Sequence, residues 1–431
     1  MTRARRAPST RYPTLVLDCD ALHALDGRSI AWTGMADALP GMARQLGADE
    51  PVVWCHETAG LTADAVMGAG AERAGTSPGW FVWPGKPKVH CALPAVSGDF
   101  AGARDAEQLG GAVELWREHV GMAYVISGPN TVHKLVQSLG TVPDPVEAPQ
   151  LDPAYRATAW ATPANVWAPD ALDVLAAAGL RWVSVFDRAG SYLSAWRGAA
   201  LSAGEWTHEG RAILATTSSE TTKPAGYWLV EPDQLPNPGG VFDPWRRHTD
   251  PDGPVWLTTP LMQLAVEVAG EPIKASDLWW AAGRCRALDP AAGRLAGARL
   301  ALEAGGTQAS GVALRALKDA YSGATSWFEY GPRPGDPLGR PHWRHTILDR
   351  FVANTYRALA QATPAPFAHA EIDAALFALP GFGTVPDGLK PAPALGGWKR
   401  KGAPVAMADA LAAYTKGGPR AVIALAEGTA A

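Results

Sequence analysis

The sequence contains few cysteines, few charged residues and no long apolar stretch, and each shortage excludes a class of protein. Four cysteines are scattered over 431 residues without a C-x-x-C pair, which excludes a disulfide scaffold and a cysteine-based zinc site. No apolar run approaches the ~20 residues that span a bilayer, so we expect no membrane partner. A net charge of −4 excludes a uniformly basic nucleic-acid coat but leaves room for local basic surfaces.

The remaining composition indicates a globular protein of two or three domains. The hydrophobic share is 47% and the charged share is 19%, which is typical of chains that bury a large core. The first residues carry several arginines without a following apolar region. We therefore expect a basic disordered tail over 1–12 and a cytoplasmic protein. Frequent Ala, Gly, Arg and Pro indicate a GC-rich bacterial genome of the actinobacterial kind.

Apolar runs alternate with helical spacings over residues 13–140 and predict an N-terminal α/β domain. The predicted strands are 15–18, 51–55, 89–93 and 124–127, and the predicted helices are 35–46 and 106–119. A Pro-rich acidic break predicts a linker over 141–150. Beyond it, the predicted elements are a strand at 181–186, helices at 288–317 (with a Gly-Gly break) and 343–362, a loop at 327–340, and a strand at 370–379.

Four segments of the second half carry chemistry, and their order is more informative than any one of them. They are Val185–Ser194 around Asp187, Arg315–Ser322 around Lys318, Glu371–Ala374, and Leu395–Lys399. An Asp, a Lys and a second acidic pair in this order resemble the palm and fingers of family B DNA polymerases. That family has D-x-x-S-L-Y-P-S, K-x-x-x-N-S-x-Y-G and D-T-D-S, often followed by a Leu-Gly-x-x-Lys-like segment.

The acidic residues of these segments are candidate metal ligands. Nucleotidyl transfer requires carboxylates that hold two Mg²⁺ ions roughly 3.5–4 Å apart. Asp187 ends one predicted strand, whereas Glu371 and Asp373 share a face of another because they are two residues apart. If the strands are neighbours, three carboxylates converge, with Asp187 and Asp373 as catalytic residues. The alternatives are a capping Asp at a strand-to-helix turn, and an amphipathic helix at 370–379 with two surface acids.

The resemblance implies roles for residues beyond the carboxylates. Tyr192 would lie under the incoming sugar and exclude a ribose 2′-OH. Lys318, the third catalytic residue, and Arg315 would bind triphosphate oxygens from one helix face. A solvated helix face is the alternative for these two cations. A basic C-terminal segment would contact the DNA backbone through Lys399, Arg400 and Lys401, and its alternative is a solvated surface.

The chain departs from the family pattern at several positions that would contact nucleotide or metal. The departures are Ser322 for Asn, Thr325 for Tyr, Glu371 for Asp and Ala374 for Ser. They favour weakened catalysis. The retained residues are Asp187, Tyr192, Lys318 and Asp373, and they favour an active polymerase.

A more specific likeness is to the telomere-associated proteins of Streptomyces linear replicons. Phe186–Ser194 is similar to their D-R-N-x-S-Y/F segment, and Pro341–Ile347 and Glu371–Phe377 also look like theirs. Those proteins work with a terminal protein at DNA ends. The resemblance therefore implies DNA, a terminal or other replication protein and, for an active enzyme, deoxynucleotides as partners. The helix-turn-helix region that such proteins can add is not visible in this sequence.

These observations predict an α/β (α+β) chain with an exonuclease-like (RNase H-like) N-terminal domain and a polymerase-type module. The predicted order is an α/β domain at 13–140, a linker at 141–150, a palm and fingers-like domain with an antiparallel sheet at 151–389, and a basic thumb-like segment at 390–431. Three functions stay open: a DNA-binding replication scaffold with weakened catalysis, an active Mg²⁺-dependent DNA polymerase, and a metal-dependent nuclease. The nuclease would use Asp18 and Asp20, whose D-x-D follows a strand as a proofreading exonuclease motif does.

Overall fold

A computed structural model gives the structure of most of the chain. The described residues are 14–24, 26, 28–46, 50–74, 78–84, 88–124, 126–152, 155, 176–210, 213–215, 225–237, 242–245, 253–330, 336–363, 368–370 and 374–428. The predicted tail at 1–12 and the predicted ligands Glu371 and Asp373 lie outside these residues. Within the described part, no helix combines the length and the apolar character that a membrane span requires.

The chain divides into two units, each built from two separate stretches. Unit 1 comprises Met1–Thr141 and Pro290–Trp327, and unit 2 comprises Val142–Asp289 and Phe328–Ala431. The first division falls at the start of the predicted linker 141–150. Residues 290–327, which the sequence analysis placed in the palm and fingers-like domain, group with the N-terminal unit instead. Lys318 and Asp187 are therefore residues of different units.

Unit 1 is built around a mixed sheet of seven strands in the order β3-β2-β1-β4-β7-β6-β5. Its strands are β1 (Thr14–Leu17), β2 (Ala21–Ala24), β3 (Ser29–Ala31), β4 (Val52–Cys55), β5 (Glu72–Arg73), β6 (Trp80–Trp83) and β7 (Val89–Ala92). Strands β1, β4 and β7 are parallel to one another, and the outer pairs are antiparallel. The parallel strands are almost wholly buried, as continuous apolar runs such as Leu15–Leu17 require.

The helices of unit 1 include two long ones from the distant stretch of the chain. They are α1 (Leu39–Gln45), α2 (Ala63–Gly68), α3 (Pro94–Ser97), α4 (Ala106–Val120), α5 (Gly128–Leu139), α8 (Asp289–Gly305) and α9 (Gln308–Tyr330). The break between α8 and α9 falls at Gly306 and Thr307, directly after Gly305, and so matches the predicted Gly-Gly break to within one residue. Helix α9 runs to Tyr330, so the loop predicted from 327 begins later than expected.

The strand predicted at 124–127 is wrong. Ile126 has a φ of 68°, a left-handed conformation that an extended strand does not allow, and Ser127 caps helix α5 by accepting a hydrogen bond from the N–H of Asn130. Tyr124 instead donates its hydroxyl hydrogen to the carboxylate of Asp99 and packs its ring among Trp54, Trp80, Phe100 and Trp116. Tertiary packing of this aromatic ring therefore overrides the local β-like pattern.

Unit 2 contains three sheets and four helices among its described residues. Its strands are β8 (Trp182–Arg188), β9 (Leu201–Glu209), β10 (Ile213–Ala215), β11 (Gly226–Val230), β12 (Val255–Thr258), β13 (Ile273–Ala275), β14 (Asp277–Cys285), β15 (Ala368–Ala370), β16 (Ala374–Leu379) and β17 (Trp398–Ala406). The helices are α6 (Ser191–Trp196), α7 (Thr259–Ala269), α10 (Pro341–Ala360) and α11 (Met407–Ala426). The sheet orders are β10-β13, β12-β11-β14-β9 and β15-β16-β8-β17.

The sheet β15-β16-β8-β17 is antiparallel throughout, as the sequence predicts for the segment around Asp187. One face carries Val183, Val185 and Leu376, and these pack with the apolar residues of helix α11 into one core. The helix alternative for 370–379 is wrong, because β15 and β16 are paired antiparallel strands and all six side chains of β16 are buried. Burial of each large side chain stabilises the sheet by about 1.5–3 kcal/mol.

Candidate functional site

Asp187 lies in the middle of a row of residues that crosses three strands. It is the penultimate residue of β8, whereas the sequence predicts a strand that ends at Phe186. In the register of the sheet, Asp187 is paired with Ala374 of β16 on one side and with Lys399 of β17 on the other. Asp373 directly precedes Ala374 in the sequence but lies outside the described residues. Its convergence with Asp187 therefore stays a prediction.

The structure brings the first and the fourth of the predicted segments into direct contact. The N–H of Ala189 donates to the carbonyl oxygen of Gly397, and the N–H of Gly396 donates to the carbonyl oxygen of Ala189, both at 2.7 Å. Gly396 has a φ of 74°, which favours glycine. A Cβ at Gly397 would lie 2.5 Å from the carbonyl oxygen of Pro391, so the close approach requires glycine there as well.

Arg188 fixes the end of strand β8 from the opposite face of the sheet. Its side chain is buried and donates to the carbonyl oxygen of Gly396 at 3.2 Å and to the hydroxyl of Thr355 at 2.8 Å. A third hydrogen bond reaches the carbonyl oxygen of Phe351 in helix α10. No role was predicted for Arg188, because its partners are distant in the sequence. Because a buried guanidinium requires such partners, Arg188 ties β8 to α10 and to the Gly396 turn.

The electrostatic partner of Asp187 in this row is Lys399. The Nζ of Lys399 lies 4.0 Å from Oδ2 of Asp187, and the two side chains are 40% and 25% exposed. A carboxylate is the kind of oxygen ligand that Mg²⁺ prefers, so Asp187 fits a metal site. Its predicted co-ligands Glu371 and Asp373 lie outside the described residues. Lys399 places a competing positive charge beside the carboxylate.

Helix α6 begins four residues after Asp187 and carries Tyr192. Gly190 is the N-cap of this helix and has no side chain that could cap it, so a capping role of Asp187 at this turn stays an alternative. The ring of Tyr192 is stacked on Phe351 at a centroid distance of 5.4 Å. This contact packs the ring of Tyr192 against helix α10, and its role beneath a sugar stays a prediction.

The three basic residues of β17 do not share a face, because successive side chains of a strand point to opposite sides. Lys399 and Lys401 lie on the Asp187 face, where the Nζ of Lys401 is 3.4 Å from Oε1 of Glu427. Arg400 lies on the other face, donates to the carbonyl oxygen of Thr384 at 2.7 Å and covers the ring of Phe186. Arg400 therefore does not share a face with the two lysines, and a DNA-binding groove lined by Lys399 and Lys401 stays a prediction.

The predicted nucleotide-binding cations lie in helix α9 of unit 1. Arg315 is exposed and donates to the carbonyl oxygen of Ala101 at 3.4 Å, whereas Lys318 is half-buried. Burial raises the pKa of the neighbouring Asp319, and the positive charges of Arg315 and Lys318 partly offset this effect. Both cations thus have an acidic neighbour on their own helix, and their binding of triphosphate stays a prediction.

The predicted nuclease residues form the one three-ligand cluster found among the described residues. The ligand atoms of Asp18, Cys19 and Asp20 lie within 4.8 Å of one another. Asp18 borders a cleft of about 340 Å³ that His23 and Glu107 also line. Burial opposes ionisation of Asp18, but hydrogen bonds from the N–H groups of Ala21 and Asp20 and from His23 outweigh it and lower the pKa of this carboxyl.

Among solved structures, the chain is similar to Phi29 DNA polymerase. The polymerase complexed with primer-template DNA and incoming nucleotide substrates matches with a TM-score of 0.43 and 10% identity over 89% of this chain and 81% of that chain. The complex with single-stranded DNA gives a TM-score of 0.41 and 11% identity over 89% of this chain and 80% of that chain. No protein-family model matches the chain, and no curated protein matches it in sequence.

Proposed function

We propose that the chain is a DNA-binding replication protein whose unit 2 contains a family B polymerase-like palm with weakened catalysis. The observation that carries the proposal is the row across β16, β8 and β17. In this row, Asp187 is paired with Ala374, the residue that follows Asp373 in the sequence. On its other side, Asp187 is paired with Lys399, the basic residue of the Leu395–Lys399 segment. Hydrogen bonds at the end of strand β8 join the Val185–Ser194 segment to the Leu395–Lys399 segment, although Arg188 and Gly396 are 208 residues apart in the sequence.

Each residue of the proposed site has a chemical task. Asp187, with Glu371 and Asp373, would hold Mg²⁺. The bound ions would activate the attacking 3′ oxygen and stabilise the leaving pyrophosphate. Tyr192 would support the sugar of the incoming deoxynucleotide. The half-exposed Lys399 and Lys401 would bind the DNA backbone from the same face of the sheet.

Weakened catalysis follows from the residues that replace the family pattern. Thr325 donates its hydroxyl hydrogen to the carbonyl oxygen of Tyr321 within helix α9 and is buried, so its side chain is not available to a nucleotide. Ala374 supplies no polar group opposite Asp187. We propose that the protein acts as a scaffold at DNA ends of a linear replicon, together with a terminal or other replication protein, and that unit 1 has an RNase H-like core.

DNA binding and primer extension test this function. The purified wild type should bind primer-template DNA without extending the primer in Mg²⁺ or Mn²⁺. Asp187→Asn should bind equally well or slightly more tightly, since it removes a negative charge near the phosphates. Asp409→Asn, which removes an exposed carboxylate from helix α11, is the matched control. Template-dependent extension that Asp187→Asn abolishes would establish an active polymerase instead, and failure to bind DNA would refute both.

A second candidate function is metal-dependent cleavage of DNA at Asp18 and Asp20. The observation that favours it is the cluster of ligand atoms at the end of β1, beside the cleft lined by Glu107. The same reactions report this activity as shortening of the labelled primer. Shortening that disappears in Asp18→Asn supports a nuclease, and a primer of unchanged length excludes it.

A further inference from the structure

We propose that Lys399 is a built-in cation that competes with divalent metal for Asp187. The inference deepens the proposed function, on which it rests, by assigning a regulatory role at the same carboxylate. Lys399 is paired with Asp187 across strands β17 and β8, and its Nζ lies 4.0 Å from Oδ2. A metal ion that binds this oxygen must displace the ammonium group or share the carboxylate with it.

The position of Lys399 is fixed by the backbone. Gly396 and Gly397 exchange hydrogen bonds with Ala189 just before β17 begins, and Arg188 donates to the carbonyl oxygen of Gly396. These contacts lock the register, so the Cβ atoms of Lys399 and Asp187 stand about 4.5–5.5 Å apart, the usual separation of directly opposite residues. The backbone pairing thus keeps the ammonium group of Lys399 within reach of the Asp187 carboxylate.

The next basic residue on the same face has another acidic partner. The Nζ of Lys401 lies 3.4 Å from Oε1 of Glu427, which follows helix α11. Lys401 is opposite Val185, whose side chain offers no charge. The two lysines thus belong to two separate ion pairs on one strand, and Lys401 provides a control of equal charge, equal side-chain length and nearly equal exposure.

Competition between the ammonium group and a metal has a direct measurable consequence. Both cations are attracted by the same oxygen atoms, so the free energy of the ion pair is subtracted from that of metal binding. Half-exposed pairs are partly screened by solvent, which limits the effect. We expect removal of the charge at Lys399 to tighten metal binding roughly three- to fivefold.

The experiment measures binding of Mn²⁺, which takes the same oxygen ligands as Mg²⁺, to the full chain without DNA or nucleotide. Wild type, Lys399→Met and Lys401→Met are titrated by calorimetry or by the electron paramagnetic resonance of free Mn²⁺. Lys399→Met should bind Mn²⁺ more tightly than wild type, and Lys401→Met should lie close to wild type. The double variant Lys399→Met/Asp187→Asn should lose the gain, since the gain depends on the carboxylate.

Equal affinities of wild type and Lys399→Met would overturn the proposal. An equal gain in both lysine variants would overturn it as well, because the effect would then come from net charge alone. If the double variant still bound Mn²⁺ more tightly than wild type, the metal would be bound at another carboxylate, and the proposal would be overturned. Circular dichroism verifies that each variant is folded. The Mn²⁺ titration contains no DNA. A failure of the protein to bind DNA would therefore refute the proposed function but would not change the measured Mn²⁺ affinities.

Discussion

Two adjacent glycines determine how closely the start of strand β17 approaches the end of strand β8. Gly396 adopts a left-handed φ, and a Cβ there would lie 3.2 Å from the guanidinium of Arg188. The constraint at Gly397 is different, because its nearest neighbours are the backbone carbonyl oxygens of Pro391 and Ala394, which cannot rotate away. At the scale of single residues, the position of Lys399 beside Asp187 therefore depends on two residues without side chains.

Gly397→Ala should destabilise the protein by about 1–3 kcal/mol, the usual cost of forcing an extra carbon into a packed position. The reason is the distance of 2.5 Å between the new Cβ and the carbonyl oxygen of Pro391. Urea unfolding measures the change. Gly383→Ala is the control, because no atom lies within 4 Å of a Cβ there, and it should change stability by less than about 0.5 kcal/mol. Equal stability of both variants would contradict the packing argument.

Single-residue reasoning from the sequence found Asp187 but not the residues that hold it. Asp187 was singled out because it ends a predicted strand and matches the Asp of the first family B segment, and its role as a metal ligand stays a prediction. Arg188 was not, because its partners Thr355 and Gly396 are distant in sequence and only the folded chain shows that the guanidinium is buried. The ion pair with Lys399 could not be predicted either, since it depends on a strand register that periodicity does not supply.

At the scale of elements, strand β17 places its basic residues on two opposite faces of the sheet. The sequence predicts one basic segment, yet the alternation of the strand separates Lys399 and Lys401 from Arg400. Arg400 is engaged with the carbonyl oxygen of Thr384 and the ring of Phe186, which makes it a structural residue of the sheet. Apolar runs predicted β1, β4, β7 and β8, but they did not predict strands such as β9, β11, β14 and β17. The pairing between β8, β16 and β17 was not predictable either, because nonlocal interactions decide it.

The salt dependence of DNA binding tests whether Lys399 and Lys401, but not Arg400, contact DNA. The double variant Lys399→Ala/Lys401→Ala should weaken DNA binding for all sequences. It should also reduce the slope of log K against log salt by at most about two, because each lysine neutralises at most one phosphate. Arg400→Ala should leave the slope unchanged in the folded protein and lower the urea midpoint, because it removes a hydrogen bond and a cation–π interaction. A slope that falls with Arg400→Ala but not with the double variant would contradict the assigned faces.

At the scale of the whole molecule, unit 1 is assembled from two stretches that are far apart in the sequence. The stretch Pro290–Trp327 supplies most of helices α8 and α9. Helix α9 packs closely on helix α5: a Cβ at Gly128 would lie 2.6 Å from the Cβ of Ala320, and the Nε2 of His133 is 3.1 Å from the carbonyl oxygen of Ala324. The sequence suggested a self-contained domain at 13–140, because local patterns do not reveal which distant helices complete a core.

A fragment of residues 1–141 should therefore fail to fold cooperatively, because helix α5 would lose the packing against helix α9 at Gly128 and His133. The same fragment joined to residues 290–327 by a flexible Gly/Ser linker of about 20 residues should show a cooperative thermal transition by circular dichroism. Gly128→Val in the joined chain is the control, since its side chain would collide with Ala320 and should lower the midpoint. A cooperative transition at the same temperature in 1–141 alone would show that the α8 and α9 stretch is not part of this core.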